Sequence, residues 1–159
     1  VSINNLLINN KSLVKDIISE FGSSTVSLGV NLKKNFFGNL KVYDHKLKKN
    51  LKIEFIDYLK QIEDLIPGEI FISFVDSEGM KTGFDFEVLN KIKENIKSNI
   101  VINGGLNSFS EIIKIKNLNF SGVAGSRIFC FKDSLESILI SYIDVKTKKE
   151  IYENSYIRS

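Results

Sequence analysis

The feature that most constrains the fold is an apolar strand pattern that runs directly into a polar, glycine-containing loop. Ile70 to Val75 is an apolar run of strand length with Ser73 as its polar member, and Pro67-Gly68 precedes it. Such a run is typical of a parallel strand covered on both faces. Residues 86–96 then show helical spacing, with Asp85 as the predicted N-cap. The stretch therefore predicts one β/α unit, with a polar loop after its strand.

The alternation of strand and helix patterns continues along the chain. Further strands are predicted at 1–3, 25–30, 99–103 and 120–124, and helices at 12–21, 53–66, after Ser108, at 134–142 and at 146–153. Residues 35–52 instead predict a hairpin around Gly38-Asn39, inside a long loop between a strand and a helix. Strands that alternate with helices indicate βαβ units in a parallel sheet. We predict a single α/β domain over residues 1–159.

Apolar spacing also predicts the inner faces of two helices. In the helix at 12–21 the inward residues are Leu13, Val14, Ile17, Ile18 and Phe21. In the helix at 53–66 they are Phe55, Ile56, Leu59, Ile62 and Ile66. Gly22 and Pro67-Gly68 are predicted to end these helices.

Composition argues against several functional classes. The net charge of +3 comes from scattered lysines without a long run of like charges, so nucleic acid is not an expected partner. No apolar stretch has the length of a membrane span, so no membrane is expected either. Cys130 is the only cysteine and no leader pattern precedes the first element, which predicts a cytoplasmic location. His45 is the only histidine, so we expect neither a metal centre nor a histidine dyad.

Glycine turns follow two successive strand patterns. Gly104-Gly105 ends one strand and Gly125-Ser126 ends the next, each before a possible helix. In eight-stranded β/α barrels the loops after the last two strands commonly bind phosphate through backbone N–H groups. The alternative is that glycine only relieves crowding at a turn.

Carboxylates and amides also gather at the predicted strand ends. Asp76, Glu78 and Asp85 lie in one loop at the position where barrel enzymes place catalytic groups. The alternatives are helix capping for Asp85 and solvated charge for Glu78. Parallel strands would bring further polar side chains to the same mouth, namely Asn4, Asn31, Ser73 and Asn103. Ordinary turn chemistry explains each of these equally well.

Several short segments together carry a family resemblance. In order they are Val1-Ser2-Ile3-Asn4, Phe21-Gly22, Val30-Asn31-Leu32-Lys33-Lys34, Gly68-Glu69-Ile70, Asp76-Ser77-Glu78-Gly79, Gly83-Phe84-Asp85, Gly104-Gly105 and Ala124-Gly125-Ser126. On these segments the chain resembles the cyclase subunit of imidazole glycerol phosphate synthase, a (β/α)8 TIM barrel of the ribulose-phosphate-binding type. The match starts inside the fourth strand of that barrel and runs through its eighth unit. The resemblance therefore implies the C-terminal half of the barrel, from about strand 4 to helix 8.

The resemblance also implies an activity and a partner. Members of that family take ammonia from a glutaminase subunit docked on the N-terminal face of the barrel and use it on a phosphorylated small-molecule substrate, without a cofactor. By resemblance the substrate phosphate would be held by Gly79, Gly104, Gly105, Gly125 and Ser126. Asn4 would line the reaction centre, Ser73 and Asn103 would lie beside the substrate, and Glu69 would stand at the ammonia entrance.

The chain departs from the family pattern at important positions. An essential catalytic aspartate is replaced by Asn31, and an amide cannot exchange a proton as a carboxylate does. Glu78 and Met80 replace an aspartate and a threonine. The candidate catalytic set is Asn4, Asn31, Asp76 and Glu78, and whether the chain is a lyase-type cyclase stays open.

Two alternatives and one assembly prediction follow. Lys33 to Gly38, Lys41 to Tyr43 and Leu139 to Tyr142 are similar to cyclase-like proteins of surface-polysaccharide clusters, which implies ammonia supply for sugar amidation. A noncatalytic scaffold that docks the glutaminase is the other alternative. A half-barrel has unpaired strand edges near Val1 and Val123, so we also predict a homodimer through these edges.

Overall fold

The computed structural model describes residues 1–4, 10–132, 137–138 and 142–153. The strands are β1 (Ser2–Asn4), β2 (Ser27–Lys34), β3 (Leu40–Asp44), β4 (Lys49–Asn50), β5 (Glu69–Phe74), β6 (Ile100–Asn103), β7 (Gly122–Ala124), β8 (Phe131–Lys132) and β9 (Ser137–Ile138). The helices are α1 (Lys11–Phe21), α2 (Phe55–Glu63), α3 (Phe86–Asn95), α4 (Phe109–Asn117), α5 (Arg127–Cys130) and α6 (Val145–Glu153). The alternation of strand and helix predicted from the sequence is confirmed.

A seven-stranded sheet organises the described residues. Its parallel strands lie in the order β1, β2, β5, β6, β7, and helices connect consecutive members, as in βαβ units. A second, two-stranded sheet pairs β8 with β9. Within the described residues β1 pairs only with β2, and β7 pairs only with β6. The predicted α/β class with a mostly parallel sheet is therefore confirmed.

The two faces of the sheet differ because successive side chains of a strand alternate between them. One face carries apolar residues at alternate positions of β2, β5 and β6, which lie beside one another across the strands and are 2% exposed or less. They are Leu28, Val30, Leu32, Ile70, Ile72, Ile100 and Ile102. They join one core with the helix residues Leu59, Ile62, Leu89 and Ile92. Full burial of each such side chain contributes about 1.5–3 kcal/mol. This core fixes which face of each strand is left for the site.

The predicted hairpin is present and extends β2 beyond its neighbours. Residues 32–34 of β2 pair antiparallel with residues 40–42 of β3, around a turn at Gly38 whose φ is +80°. Asn35 closes the turn, since its Oδ1 accepts from the N–H groups of Phe37 and Asn39 at 3.0 and 2.9 Å. The hairpin therefore rises from the carboxyl end of β2, the end at which the site residues were predicted.

Helix termini follow the sequence signals in part. Asp85 is the N-cap of α3, as predicted, and its carboxylate accepts from the N–H groups of Glu87 and Val88. Gly22 ends α1 with φ +82°, also as predicted. The inward prediction for Ile66 is wrong: α2 already ends at Glu63, and Ile66 has φ +56° and is 72% exposed.

Two other predictions need correction. Leu13 and Phe21 of α1 are 40% and 59% exposed, because the stripe of α1 that contacts the core is narrower than its apolar stripe. The predicted helix at 134–142 is wrong where the structure describes it, since Ser137–Ile138 is a strand; residues 133–136 and 139–141 lie outside the described residues. The helix predicted at 146–153 is confirmed as α6. None of the helices in the described ranges is long and apolar enough to cross a membrane.

Candidate functional site

Polar side chains line the carboxyl ends of adjacent parallel strands, on the face opposite the helices. Asn31, Ser73 and Asn103 are consecutive Cα partners across β2, β5 and β6. Asn103 Nδ2 donates to Ser73 Oγ at 3.4 Å, and Asn31 Nδ2 donates to Asn4 Oδ1 at 3.3 Å. Asn31 is only 5% exposed. The structure thus brings the four predicted residues into one row, hereafter the amide row.

A cavity of about 290 Å³ lies beside the amide row at the ends of β5, β6 and β7. Its lining comprises Glu78, Gly79, Met80, Asn103, Gly104, Gly105, Leu106, Ala124, Gly125, Ser126 and Arg127. Every residue that the resemblance assigns to phosphate binding is in this set. The glycine turns that are distant in sequence are therefore neighbours in space, and we call this space the glycine cavity.

Close packing explains why glycine is needed at the β6 turn. Gly104 has φ +98°, and a Cβ at this position would stand 2.5 Å from the carbonyl oxygen of Phe74. Gly105 has φ +104°, and its carbonyl oxygen accepts from Gly83 N–H at 2.8 Å. Gly79 also has a positive φ of +71°, but a Cβ there would meet nothing within 4 Å. Crowding thus accounts for Gly104, whereas Gly79 borders open space.

Arg127 is a cavity residue that the sequence reasoning missed. It is the first residue of α5, directly after the Gly125-Ser126 turn, and it is half-buried. Its Nη1 donates to the carbonyl oxygen of Gly79 at 2.9 Å. Two loops separated by 48 positions in the chain are joined by this bond. The only available signal was a basic residue next to a glycine turn at a strand end.

The three loop carboxylates have different surroundings. Asp76 is exposed, and its Oδ2 accepts from the backbone N–H of Lys34 at 2.7 Å, which ties the loop after β5 to the hairpin. Asp85 caps α3, so capping accounts for this residue. Glu78 is exposed and lines the glycine cavity. Of the three, only Glu78 lines the glycine cavity.

Glu69 lies at the other end of the sheet. It is the first residue of β5, and Ser27 is the first residue of β2. Glu69 Oε1 accepts a hydrogen bond from Ser27 Oγ at 3.0 Å. Ser73 lies four positions after Glu69, which corresponds to about 13 Å along the strand. Glu69 therefore belongs to the amino-terminal end of the strands, apart from the amide row.

A larger cavity of about 690 Å³ lies between the hairpin and the first turns of α2 and α3. It shares Gly104 with the glycine cavity, and its lining mixes the charged groups of Lys34, Asp85, Glu87 and Lys91 with aromatic rings. Asp85 is already engaged as a helix cap. None of the candidate catalytic residues lines this space.

Comparisons with known proteins agree with this arrangement. A family model described as histidine biosynthesis protein matches residues 1–135. A protein of Pseudomonas aeruginosa, provisionally named imidazole glycerol phosphate synthase subunit hisF2, is 30% identical over 146 residues, which are 91% of this chain and 58% of that protein. A protein of Vibrio vulnificus, provisionally named subunit hisF3 of the same synthase, is 26% identical over 155 residues, covering 96% and 60%.

A third relative is the imidazole glycerol phosphate synthase subunit HisF of Lactococcus lactis subsp. cremoris. It is 33% identical over 116 residues, which are 72% of this chain and 45% of that protein. The chain therefore spans 45% to 60% of the length of these relatives. Together with the parallel sheet and its helices, the family match confirms the predicted fold class, an α/β partial (β/α)8 barrel. That the part is the C-terminal half stays a prediction.

Proposed function

The chain belongs to the histidine biosynthesis protein family, and on that premise we propose that it binds one phosphate group of a phosphorylated substrate as part of an imidazole glycerol phosphate synthase cyclase. The observation that carries the proposal is the glycine cavity, where turns from three neighbouring strand ends meet. Backbone N–H groups at glycine turns approach an anion closely because no Cβ intervenes. Gly79, Gly105, Gly125 and Ser126 are the proposed donors.

Titration calorimetry with ribose 5-phosphate, and with ribose as the uncharged comparison, tests the phosphate proposal. We expect binding of the phosphate and no measurable binding of ribose. The test variant is Gly125→Val, whose Cβ would stand 2.9 Å from Leu106 Cδ2 in the cavity wall and displace it. The control is Lys52→Gln, an exposed position outside the cavity lining. Equal binding of ribose 5-phosphate by the wild type and by a folded Gly125→Val variant would contradict the proposal.

The amide row is the proposed reaction centre on this half of the barrel. Asn4, Ser73 and Asn103 orient the substrate through hydrogen bonds, since amides and hydroxyls both donate and accept. Asn31 holds Asn4 and cannot transfer a proton at neutral pH. Any proton transfer that this half supplies therefore falls to Asp76 or Glu78. Of these, Glu78 lines the cavity, whereas Asp76 is bonded to the hairpin backbone.

The amino-terminal end of the sheet is the proposed side of ammonia entry. Glu69 and Ser27 form a polar pair there, on the face that continues into the amide row. We propose that a glutaminase subunit docks at this end and that ammonia passes Glu69. The test measures turnover of the phosphorylated precursor of imidazole glycerol phosphate, the imidazole precursor, either with glutamine and the glutaminase subunit or with ammonia alone. Glu69→Gln should lower only the glutamine-dependent rate, and an equal loss in both rates would contradict the proposal.

A second candidate is a cyclase-like protein that supplies ammonia for sugar amidation in surface-polysaccharide synthesis. The observation in its favour is that Asn31, where the resemblance implies a catalytic aspartate, is a buried amide. A noncatalytic glutaminase scaffold is a third candidate. Turnover of the imidazole precursor supports the cyclase. Glutaminase activation without turnover of the precursor and without transfer of ammonia to an added sugar acceptor supports the scaffold. Transfer of ammonia to the sugar acceptor supports the amidation protein.

Self-association is proposed for a chain of these residues alone. In the described residues the outer edges of β1 and β7 have no strand partner, and exposed edges pair readily with other chains. Sedimentation velocity should show a dimer or larger species across micromolar concentrations. A single monomeric species with native circular dichroism would contradict this proposal.

A further inference from the structure

We infer that Arg127 is a specificity-determining residue that makes the glycine cavity select a doubly charged phosphate monoester. This inference rests on the proposed phosphate binding and adds the group that sets the charge of the ligand. Its evidence is the position, the bonding and the charge of Arg127 relative to the other lining residues.

Arg127 sits where two walls of the cavity meet. It lines the cavity together with Gly79, and its Nη1 donates to the Gly79 carbonyl oxygen at 2.9 Å. A guanidinium has five N–H donors in a planar fork that matches two phosphate oxygens. Arg127 is thus placed to hold the loop after β5 in position and to face the space that the glycine turns surround.

The charges of the lining residues explain why an arginine is needed. Among the described residues that line the glycine cavity, Glu78 is the one carboxylate and Arg127 is the one cation. Without Arg127 the lining would carry a formal charge of −1, which repels an anion. With Arg127 the lining is neutral, and the guanidinium adds charge-assisted hydrogen bonds to the ligand.

Carbonyl oxygens would also repel an anion, and two of those in the cavity are engaged. Gly79 O accepts from Arg127, and Gly105 O accepts from Gly83 N–H at 2.8 Å. By binding the Gly79 carbonyl, Arg127 reduces the negative potential of the loop that it holds. The same side chain therefore acts twice in favour of an anion.

The size of the cavity limits the ligand. A volume of about 290 Å³ lies at the lower end of the range for small-molecule pockets, about 300 to 1,000 Å³. It is large enough for a phosphate group and the carbon atoms next to it. The predicted ligand portion is a terminal phosphate monoester, which is a dianion above its second pKa of about 6.

The experiment measures ribose 5-phosphate binding at pH 7.5 and pH 5.0 for the wild type and four variants of the purified protein. Arg127→Met removes both the charge and the donor, Arg127→Gln keeps a donor for Gly79, and Arg127→Lys keeps the charge. Lys52→Gln is the control, since it removes one exposed positive charge that does not line the cavity. Thermal melting of each variant reports whether the fold is retained.

We expect Arg127→Met and Arg127→Gln to weaken binding at pH 7.5 by about tenfold to a hundredfold, and Arg127→Lys to weaken it less. Lys52→Gln should leave the affinity unchanged. The wild type should lose affinity at pH 5.0, where the phosphate is a monoanion, and the two uncharged variants should lose less.

Each failure has its own signature. If Arg127→Gln binds as the wild type does, Arg127 only holds the Gly79 loop and the inference is overturned, while the phosphate proposal stands. The inference is also overturned if Arg127→Met and Arg127→Gln lose as much affinity between pH 7.5 and pH 5.0 as the wild type does. If the wild type does not bind ribose 5-phosphate at all, the phosphate proposal itself fails.

Discussion

The glycine cavity and the amide row lie side by side at one end of the sheet, but they are built in different ways. The cavity is formed by backbone turns with positive φ at Gly79, Gly104 and Gly105. The amide row is formed by side chains on regular strands, and its character depends on single functional groups such as that of Asn31. The backbone N–H groups of the cavity persist through most side-chain changes, with Arg127 as the exception, whereas each substitution in the amide row changes a functional group directly.

The largest expected effect comes from adding a methyl group to the glycine cavity wall. Gly104→Ala introduces a Cβ 2.5 Å from a backbone carbonyl at φ +98°. Strain in the left-handed region and overpacking together should lower the free energy of unfolding by about 3 kcal/mol or more. Urea denaturation measures the loss, and binding of ribose 5-phosphate should disappear with it.

Gly79→Ala is the matched control for that prediction. Its φ is also positive, at +71°, but its Cβ would meet nothing within 4 Å. We expect a loss of only about 1 kcal/mol. Equal losses for the two variants would show that backbone strain alone, and not the close approach to Phe74, sets the requirement for glycine.

The next largest effect is expected in the amide row. Asn31→Asp introduces a carboxylate, but removes the Nδ2 donor of a side chain that is 5% exposed. The new carboxylate and Asn4 Oδ1 would then be acceptors without a donor between them, which should lower the free energy of unfolding at neutral pH by about 2 kcal/mol. Burial should raise the pKa of the new carboxyl group, so the loss should shrink as the pH falls.

The same variant tests the division of labour between the two regions. If the protein works as a cyclase, Asn31→Asp should raise its ammonia-dependent turnover by about 100-fold or more. The affinity for ribose 5-phosphate should stay unchanged. A change in phosphate affinity as large as the change in turnover would contradict the separation of binding from chemistry.

A smaller effect is expected where Asp76 connects the site loop to the hairpin. Asp76→Ala removes the acceptor of the Lys34 N–H bond and should cost about 1–1.5 kcal/mol, because the pair is exposed to solvent. Asp76→Asn keeps an oxygen acceptor and should cost less. The exchange rate of the Lys34 amide hydrogen is the readout. Equal rates in the two variants and the wild type would show that Asp76 does not hold the Lys34 N–H.

The smallest effect is expected outside both regions, at the start of β6. Partial burial pulls the pKa of Glu63 upward, but bonds from the Ser98 N–H and hydroxyl and from the Lys97 N–H hold it below the ordinary value. Because the pKa of Glu63 is lower in the folded than in the unfolded protein, its carboxylate stabilises the fold above the unfolded pKa of about 4.3. This stabilisation is lost as the pH falls through the folded pKa. Glu63→Gln should therefore cost about 1 kcal/mol at pH 7.

The pH dependence separates this effect from simple packing. The difference in unfolding free energy between the wild type and Glu63→Gln should narrow below about pH 4. A difference that stays constant from pH 7 to pH 3 would show that the charge of Glu63 does not contribute. Phosphate affinity should remain at the wild-type value throughout.

Local patterns predicted most of the fold. The alternation of strands and helices, the hairpin at Gly38 and the N-cap at Asp85 each depend on residues close together in sequence. The exposed positions of Ile66 and Phe21 were not predictable in this way. They depend on where each helix ends and how wide a stripe its neighbours cover, which are properties of the assembled domain.

The site shows the same limit. Turns that end adjacent parallel strands must meet, so the proximity of Gly104, Gly105 and Gly125 followed from the predicted topology. The bond from Arg127 to Gly79 depends on how two loops fold toward each other. The hydrogen bond from the Lys34 N–H to Asp76 likewise depends on how far β2 extends past the end of β5. Loop geometry is the part that periodicity does not encode.

The pairing of Asn31, Ser73 and Asn103 as direct neighbours has an evolutionary consequence. A shift of one residue in any of these strands would exchange its polar and apolar positions between the two faces, so the core itself keeps the strands aligned. The alternate residues of these strands lie on the other face, so the apolar core and not the polar residues sets the register. A lineage can exchange those residues and acquire a new reaction while inheriting an intact domain.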